Sequence, residues 1–337
     1  MTHENVKLSL VEGSIVGIKM SDEEYFSSKW SDYISNSKLS LINPEQEGST
    51  EKYIEGLGKN AIYSDSLNLG SAVHELILQP ESFEVAEGVN RPTAKMGAMA
   101  EELYNLYREG HIIKDEDVIA ASDKVGYYKG KMTDSKIQDV FNKCKTYWDD
   151  RLIWEAIPMD KTPIYLDLKS REKLAQCVTN IDNNKSIQDL LRPESTTHIV
   201  YSYNELALFL KVKAELEGKE YTLKLKGKLD NFTIDTGTNS VVLNDLKTTG
   251  HYLAQFDESF NKYHYYRQMA LYLWMLSLYA KEVHNISIDH LSANMLLVST
   301  IPDFKSGVYK VSKRQIAKGF EEMKDLLRRV AFIELCK

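Results

Sequence analysis

The stretch "KGKLDNFTIDTGTNSVVLNDLKTTG", residues 226 to 250, holds two aspartates and a lysine whose spacing suits a cation site. Two runs of alternating apolar and polar residues, the pattern of half-buried strands, flank the turn-prone "DTGTNS". Counting outward from a turn at Gly237 and Thr238 sets Asp235 against Ser240, Ile234 against Val241, Phe232 against Leu243 and Asp230 against Asp245. Facing carboxylates repel, and burial adds a desolvation cost. A divalent cation between them turns that cost into an attraction. Hard oxygen ligands suit magnesium or manganese. Lys247 follows Asp245 by two residues, so on a strand both side chains share a face.

Further polar residues complete a set. Gln268 and Tyr272 form Q-x-x-x-Y, one helical turn apart. His74 closes a G-x-x-x-H that begins at Gly70, and Asp230 closes a G-x-x-D that begins at Gly227. Each piece alone has an ordinary reading: a charged strand, a hairpin end, a helix histidine, polar contacts of a core helix. Glu75 and Glu205 read as solvent-facing or structural acids. Together, in this order and register, the set suits metal-assisted phosphodiester hydrolysis. A bound cation stabilises charge on the phosphate and lowers the pKa of an attacking water. Lys247 can orient that water or stabilise the developing charge, and His74 can complete the metal shell.

These residues need elements to hold them. The first half of the chain is mainly helical by pattern: "SDEEYFSSKW" behind a Ser21–Glu24 capping box, "NLGSAVHELILQ" ending at Pro80, "TAKMGAMAEELYNLYREG", "KDEDVIAASDKVGYYKG", "TDSKIQDVFNKCKTYWDD" and "REKLAQCVTN". Residues 43–59 read as a loop with at most a short helix. From about residue 195 the pattern turns to strands, in "THIVYSY", "LALFLKVKAEL", "YTLKLKGKLDNFTI" and "SVVLNDLK". The apolar helix "KYHYYRQMALYLWMLSLYAKE", the strand "SANMLLVST" and a helix from the Ser312–Gln315 capping box to about Val330 follow. The expectation is an α/β fold, a mixed central sheet flanked by helices. It forms a single domain over 1–337, with a mainly helical 1–194 packed on a sheet core of 195–337.

Composition narrows the class. The 337 residues are 43% hydrophobic and 27% charged, as in ordinary globular proteins. No apolar run approaches a membrane span and the N-terminus lacks a signal-peptide pattern, so the expected setting is cytoplasmic, without a membrane partner. Three scattered cysteines, Cys144, Cys177 and Cys336, argue against a disulfide scaffold and exclude a four-cysteine iron–sulfur cluster. A net charge of −7 argues against non-specific coating of nucleic acid but leaves room for a local basic channel.

The ordered motifs G-x-x-x-H, G-x-x-D, D-x-K and Q-x-x-x-Y resemble the RecB-type branch of the PD-(D/E)xK nuclease superfamily. More narrowly, "LNLGSAVHELILQPESFEV", "RPTAKMG", "LKGKLDNF", "LNDLKTTG", "YYRQMALYLW" and the opening segment "ISNSKLSLINPEQ" are similar to RecE-like (exodeoxyribonuclease VIII) nuclease domains of phages and prophages. The resemblance runs roughly from residue 30 to 300. It implies Asp230, Asp245, His74 and the backbone carbonyl of Leu246 as ligands of Mg²⁺ or Mn²⁺. It also implies Lys247 as the catalytic lysine, with Gln268 and Tyr272 bracing the site and touching nucleic acid. Asp245 stands where many relatives have glutamate, a substitution that occurs in this branch.

For function, the resemblance implies 5′→3′ exonucleolytic degradation of linear duplex DNA, leaving 3′ single-stranded tails for recombination. It further implies a homo-oligomer, ring-shaped in such enzymes, a single-strand annealing partner of the RecT type, and a phage or prophage gene in a bacterial host. Candidate DNA contacts are Arg91, Lys95, Lys124, Lys129, Lys131, Lys224, Lys226 and Lys228. Two alternatives are a single-strand- or flap-specific nuclease of the same superfamily and, from a different class, a catalytically silent DNA-binding module.

Overall fold

A computed structural model describes residues 2–56, 65–128 and 130–336. It divides into two compact units, one of residues 1–61 with 180–337 and one of residues 62–179. Nine strands appear among the described residues: β1 (Lys7–Leu10), β2 (Val16–Lys19), β3 (Phe83–Val85), β4 (Thr162–Ile164), β5 (Val200–Leu216), β6 (Lys219–Asp235), β7 (Ser240–Thr249), β8 (His290–Ser299) and β9 (Ser306–Lys310). The helices of the first unit are α1 (Asp22–Tyr25), α2 (Asn36–Ile42) and α3 (Thr50–Gly56) before the other unit begins. The second unit holds α4 (Asp65–Leu78), α5 (Ala94–Arg108), α6 (Asp115–Val125), α7 (Asp134–Glu155) and most of α8 (Leu168–Asp182). The first unit then resumes with α9 (Lys185–Leu191), α10 (Phe256–Lys262), α11 (Tyr265–Val283) and α12 (Lys313–Leu335).

A seven-stranded mixed sheet organises the first unit, in the order β1-β5-β6-β7-β8-β9 with β2 also on the outer edge of β5. All neighbours are antiparallel except β7 and β8, which α10 and α11 connect in parallel. One face carries the main core. Leu223, Leu225, Leu229, Phe232, Val241 and Leu243 meet Met269, Leu273 and Leu276 of α11 and Met323 and Leu327 of α12. Burial on this scale, about 25 cal/mol per Å² of apolar surface, holds the helices to the sheet. A smaller cluster of Met20, Tyr25, Ala207 and Phe209 packs separately.

Two features depart from the pattern read in the sequence. Residues 7–10 and 16–19 form strands, so the amino-terminal segment belongs to the sheet unit and not to a helical half. The stretch beginning at Lys262 is broken: His264 takes a left-handed φ of 53° and separates α10 from α11. In the second unit, α5, α6 and α7 close around Trp148, Tyr104 and Cys144, and β3 and β4 pair in parallel.

Candidate metal-dependent active site

The site lies where two strands part. β6 pairs with β5 along nearly its whole length, whereas its ladder with β7 ends at Asn231 and Asn244. The register is the one counted from the turn: Asp235 on Ser240, Ile234 on Val241, Phe232 on Leu243. Asp230 and Asp245 are the next step, at the mouth of the fork. There the Leu246 N–H donates to Asp230 Oδ2 at 2.8 Å, so a carboxylate satisfies a backbone donor that β6 no longer meets.

Asp245 is 1% exposed. Its Oδ1 accepts from Gln268 Nε2 at 2.9 Å, and its Oδ2 lies 2.6 Å from Lys247 Nζ in an ion pair. Among the described residues, that Oδ2 meets no hydrogen-bond donor in good geometry. Burial alone would lower the pKa of the Lys247 ammonium. The carboxylates of Asp245 and Asp230 outweigh it and hold the group above the ordinary lysine value. Lys247 is therefore a fixed cation. The oxygen donors and the incompletely satisfied Oδ2 fit a hard divalent ion, for which Asp230 and Asp245 would supply the ligands.

The motif glycine has a steric reason. A Cβ on Gly227 would stand 2.7 Å from Cε1 of Tyr272, so the tyrosine ring packs directly on that backbone. G-x-x-D and Q-x-x-x-Y are thus two sides of one contact, through which α11 aligns Gln268 with Asp245. Burial, together with the charges of Asp245 and Asp230, holds the Tyr272 phenol well above its usual pKa and therefore neutral.

Two neighbours escaped sequence reasoning. Glu205, read as solvent-facing or structural, is 8% exposed and takes a left-handed φ of 54°. It stands between the pairs Asn204–Asn231 and Leu206–Leu229, hence across from Asp230, and their carboxylate oxygens lie within 4.8 Å. The alternation slips by one here: Tyr203 and Leu206, like Phe232 and Leu229, all meet the main core. This conformation costs a non-glycine residue about 1–2 kcal/mol. Lys228 pairs with Glu205 at 2.8 Å and with Asp22 at 2.5 Å.

The second is a ladder of asparagines across four strands. Asn231 donates to Asn204 at 2.7 Å, Asn244 to Asn231 at 2.8 Å and Asn294 to Asn244 at 2.9 Å. Asn231 and Asn244 also donate to the carbonyls of Leu191 and Leu190, satisfying acceptors at the end of α9 that have no partner inside the helix. Asn231 and Asn244 adjoin Asp230 and Asp245, so the ladder pins the register of the fork. Neither of the first two residues stands out in sequence, because an asparagine in a strand reads as a defect.

The remaining expected residues are carried by other elements. His74 is half-buried on α4, in the second unit. Six of the eight expected DNA contacts, Lys228 among them, are engaged within the protein. Lys224 pairs with Asp32 at 2.5 Å, and Lys226 is 6% exposed and donates to the Tyr25 carbonyl at 2.7 Å. In the second unit Arg91 is 4% exposed and pairs with Glu101, Lys95 donates to the Gly126 carbonyl and Lys124 pairs with Glu102. Lys131 is exposed, and Lys129 lies outside the described residues. Glu45, His264 and Glu322 also converge, but Arg267, Asn43 and Tyr266 already hydrogen-bond to Glu322, which makes this a buried structural network.

A mixed sheet whose forked central strands present two carboxylates and a lysine, backed by a glutamine helix, defines a class of α/β nucleases. The chain belongs to that class: residues 52–334 match the model of the PD-(D/E)XK nuclease superfamily. It is therefore a nuclease by family, and nucleases of this superfamily use divalent metal ions. No curated protein sequence matches. Among solved structures, a protein from Eubacterium rectale named provisionally as an exonuclease is similar at a TM-score of 0.44 and 11% identity, over 92% of this chain and 86% of the other. No helix among the described residues is long and apolar enough to cross a membrane.

Proposed function

We propose that the chain is a Mg²⁺- or Mn²⁺-dependent exodeoxyribonuclease that degrades linear duplex DNA from the 5′ end and leaves 3′ tails for strand annealing. The observation that carries the catalytic part is the convergence of Asp230, Asp245, Lys247 and Gln268 at the β6–β7 fork. The end-directed polarity, the oligomer and the annealing partner rest on the resemblance of the motifs to RecE-like domains, as do His74 and the Leu246 carbonyl as further ligands.

A divalent cation held by Asp230 and Asp245 would stabilise charge on the scissile phosphate and acidify a bound water. The protein's own groups do the rest. Gln268 holds Asp245 Oδ1 and so turns Oδ2 toward the fork. Lys247, kept protonated by the two carboxylates, offers its N–H groups to the attacking water or to a non-bridging phosphate oxygen. Neutral Tyr272 fills the space against Gly227 and fixes the distance between α11 and β6.

The test compares blunt linear duplex, single-stranded and closed-circular DNA, with 5′ and 3′ labels and with EDTA. Release of nucleotides from 5′ ends of linear duplex, and none from circles, is expected. Cutting of closed circles would refute the exonuclease reading, and preference for single strands or flaps would favour the related alternative. Binding without hydrolysis in any metal would identify a silent DNA-binding module.

A further inference from the structure

The turn between α10 and α11 is strained, and the strain has a use. His264, the residue with φ 53°, is clamped by Glu322 Oε1 at 2.8 Å and by the Tyr266 hydroxyl at 2.6 Å from its Nδ1. Arg267, fully buried, holds the same glutamate at 2.9 Å and anchors to Asn36 and Ser40 of α2. A left-handed non-glycine residue persists only when its surroundings over-determine it, and such residues concentrate at functional sites.

The kink sends two tyrosines in different directions. Tyr265 turns inward, with Lys247 Nζ 5.8 Å from its ring centroid, and is stacked on Phe256 with ring planes 14° apart. It shares the face of α11 that carries Gln268 and Tyr272, three and seven residues on. Tyr263 turns outward and remains 50% exposed, its ring centroid 5.7 Å from that of Tyr265. Exposed Lys262 places its Nζ 5.5 Å from the Tyr263 centroid. An aromatic face and a cation thus stand at the surface two contact steps from the Lys247 ammonium, or within about three bases at roughly 3.4 Å per nucleotide.

We propose that Tyr263 and Lys262 form a ledge that stacks an unpaired base of the DNA strand being cut and neutralises the adjoining phosphate. Every base offers a π-face, so stacking on tyrosine grips a strand without reading its sequence, as end-directed degradation requires. Rigid Tyr265 beneath the ledge ties the position of that base to the lysine at the reacting phosphate. The proposal rests on the nuclease reading above and adds a determinant for unpaired strand ends.

The experiment pairs Tyr263→Ala with DNA carrying abasic residues in place of the three nucleotides at the 5′ end of the cut strand. KM for cutting and Kd for metal-free binding are measured on both substrates. Tyr263→Ala should weaken both constants roughly tenfold on ordinary DNA and leave them unchanged on abasic ends, with kcat preserved. Tyr263→Phe, which keeps the ring, should match the wild type on both. Equal losses on ordinary and abasic DNA, or no loss on either, would overturn the ledge. If the wild type binds with this dependence on terminal bases yet never cuts, the nuclease reading fails and the ledge stands.

Discussion

Replacing Asn244 by alanine tests how firmly the fork is held. The side chain is fully buried and makes three hydrogen bonds. It donates to the Leu190 carbonyl at 3.1 Å and to Asn231 Oδ1 at 2.8 Å, and accepts from Asn294 Nδ2 at 2.9 Å. Alanine removes all three and opens space for at most a water or two. A buried polar group left without its partner costs about 1–3 kcal/mol, and partial rehydration favours the lower end. The expected loss is therefore about 3 kcal/mol, a large share of the roughly 5–15 kcal/mol that holds a typical domain together. Urea denaturation, followed by circular dichroism and tryptophan emission, reads the loss from the transition that both probes share, with the slope unchanged. Asn294→Ala, which removes one of these three bonds, should cost about 1 kcal/mol. A loss below about 1 kcal/mol for Asn244→Ala would show that the ladder contributes little and that other contacts set the register.

Asp245→Ala and Lys247→Ala should each abolish hydrolysis while circular dichroism stays native; full activity in either would rule out this site. Saturating Mn²⁺ at a hundred times its Kd should stabilise the wild type by about 2.7 kcal/mol, seen as a higher Tm without DNA. Asp230→Asn should lose that rise, and a rise that survives would remove Asp230 from the ligand set. Burial, with the nearby charge of Lys38, brings Lys226 from 10.5 down to about 8. The unfolded chain then binds the proton more tightly between those values, so wild-type stability should climb relative to Lys226→Met as pH rises from 8 to 10.5. Parallel pH profiles would contradict this. Burial also raises the thiols of Cys144, to about 12, and Cys177, to about 11. A thiol reagent should therefore titrate exposed Cys336 alone in the native protein and all three cysteines in denaturant.

The placement of the two acids and the lysine proposed to act together was legible because strand periodicity and turn chemistry fix a hairpin register locally. Counting from Gly237 sufficed to bring Asp230 and Asp245 to the same level. Helix α11 was legible by its apolar run, but not the break at His264, since a left-handed histidine has no signature in composition. Glu205 read as a solvent-facing or structural acid, and sequence could not choose between the two because its burial depends on β5 slipping its alternation. The asparagine ladder was invisible for a similar reason: it joins residues from 204 to 294 that only the assembled sheet aligns. The lysines of β6 looked like a basic surface, yet Asp22, Asp32 and Glu205 reach them from distant segments.

The two short amino-terminal strands have a consequence for how the chain is made. Lys7 pairs with Glu215 and Lys19 with Leu206, so β1 and β2 find their places only after nearly two hundred further residues have been synthesised. At about 5–20 residues per second, that is a wait of roughly ten to forty seconds. Through that interval the apolar residues of β1 and β2 have no sheet to join, while the whole segment 62–179 emerges between them and their partner. The edge of the nuclease sheet is therefore made before the strand it pairs with and fitted late, so the backbone of β1 and β2 stays without its ladder until β5 has been synthesised.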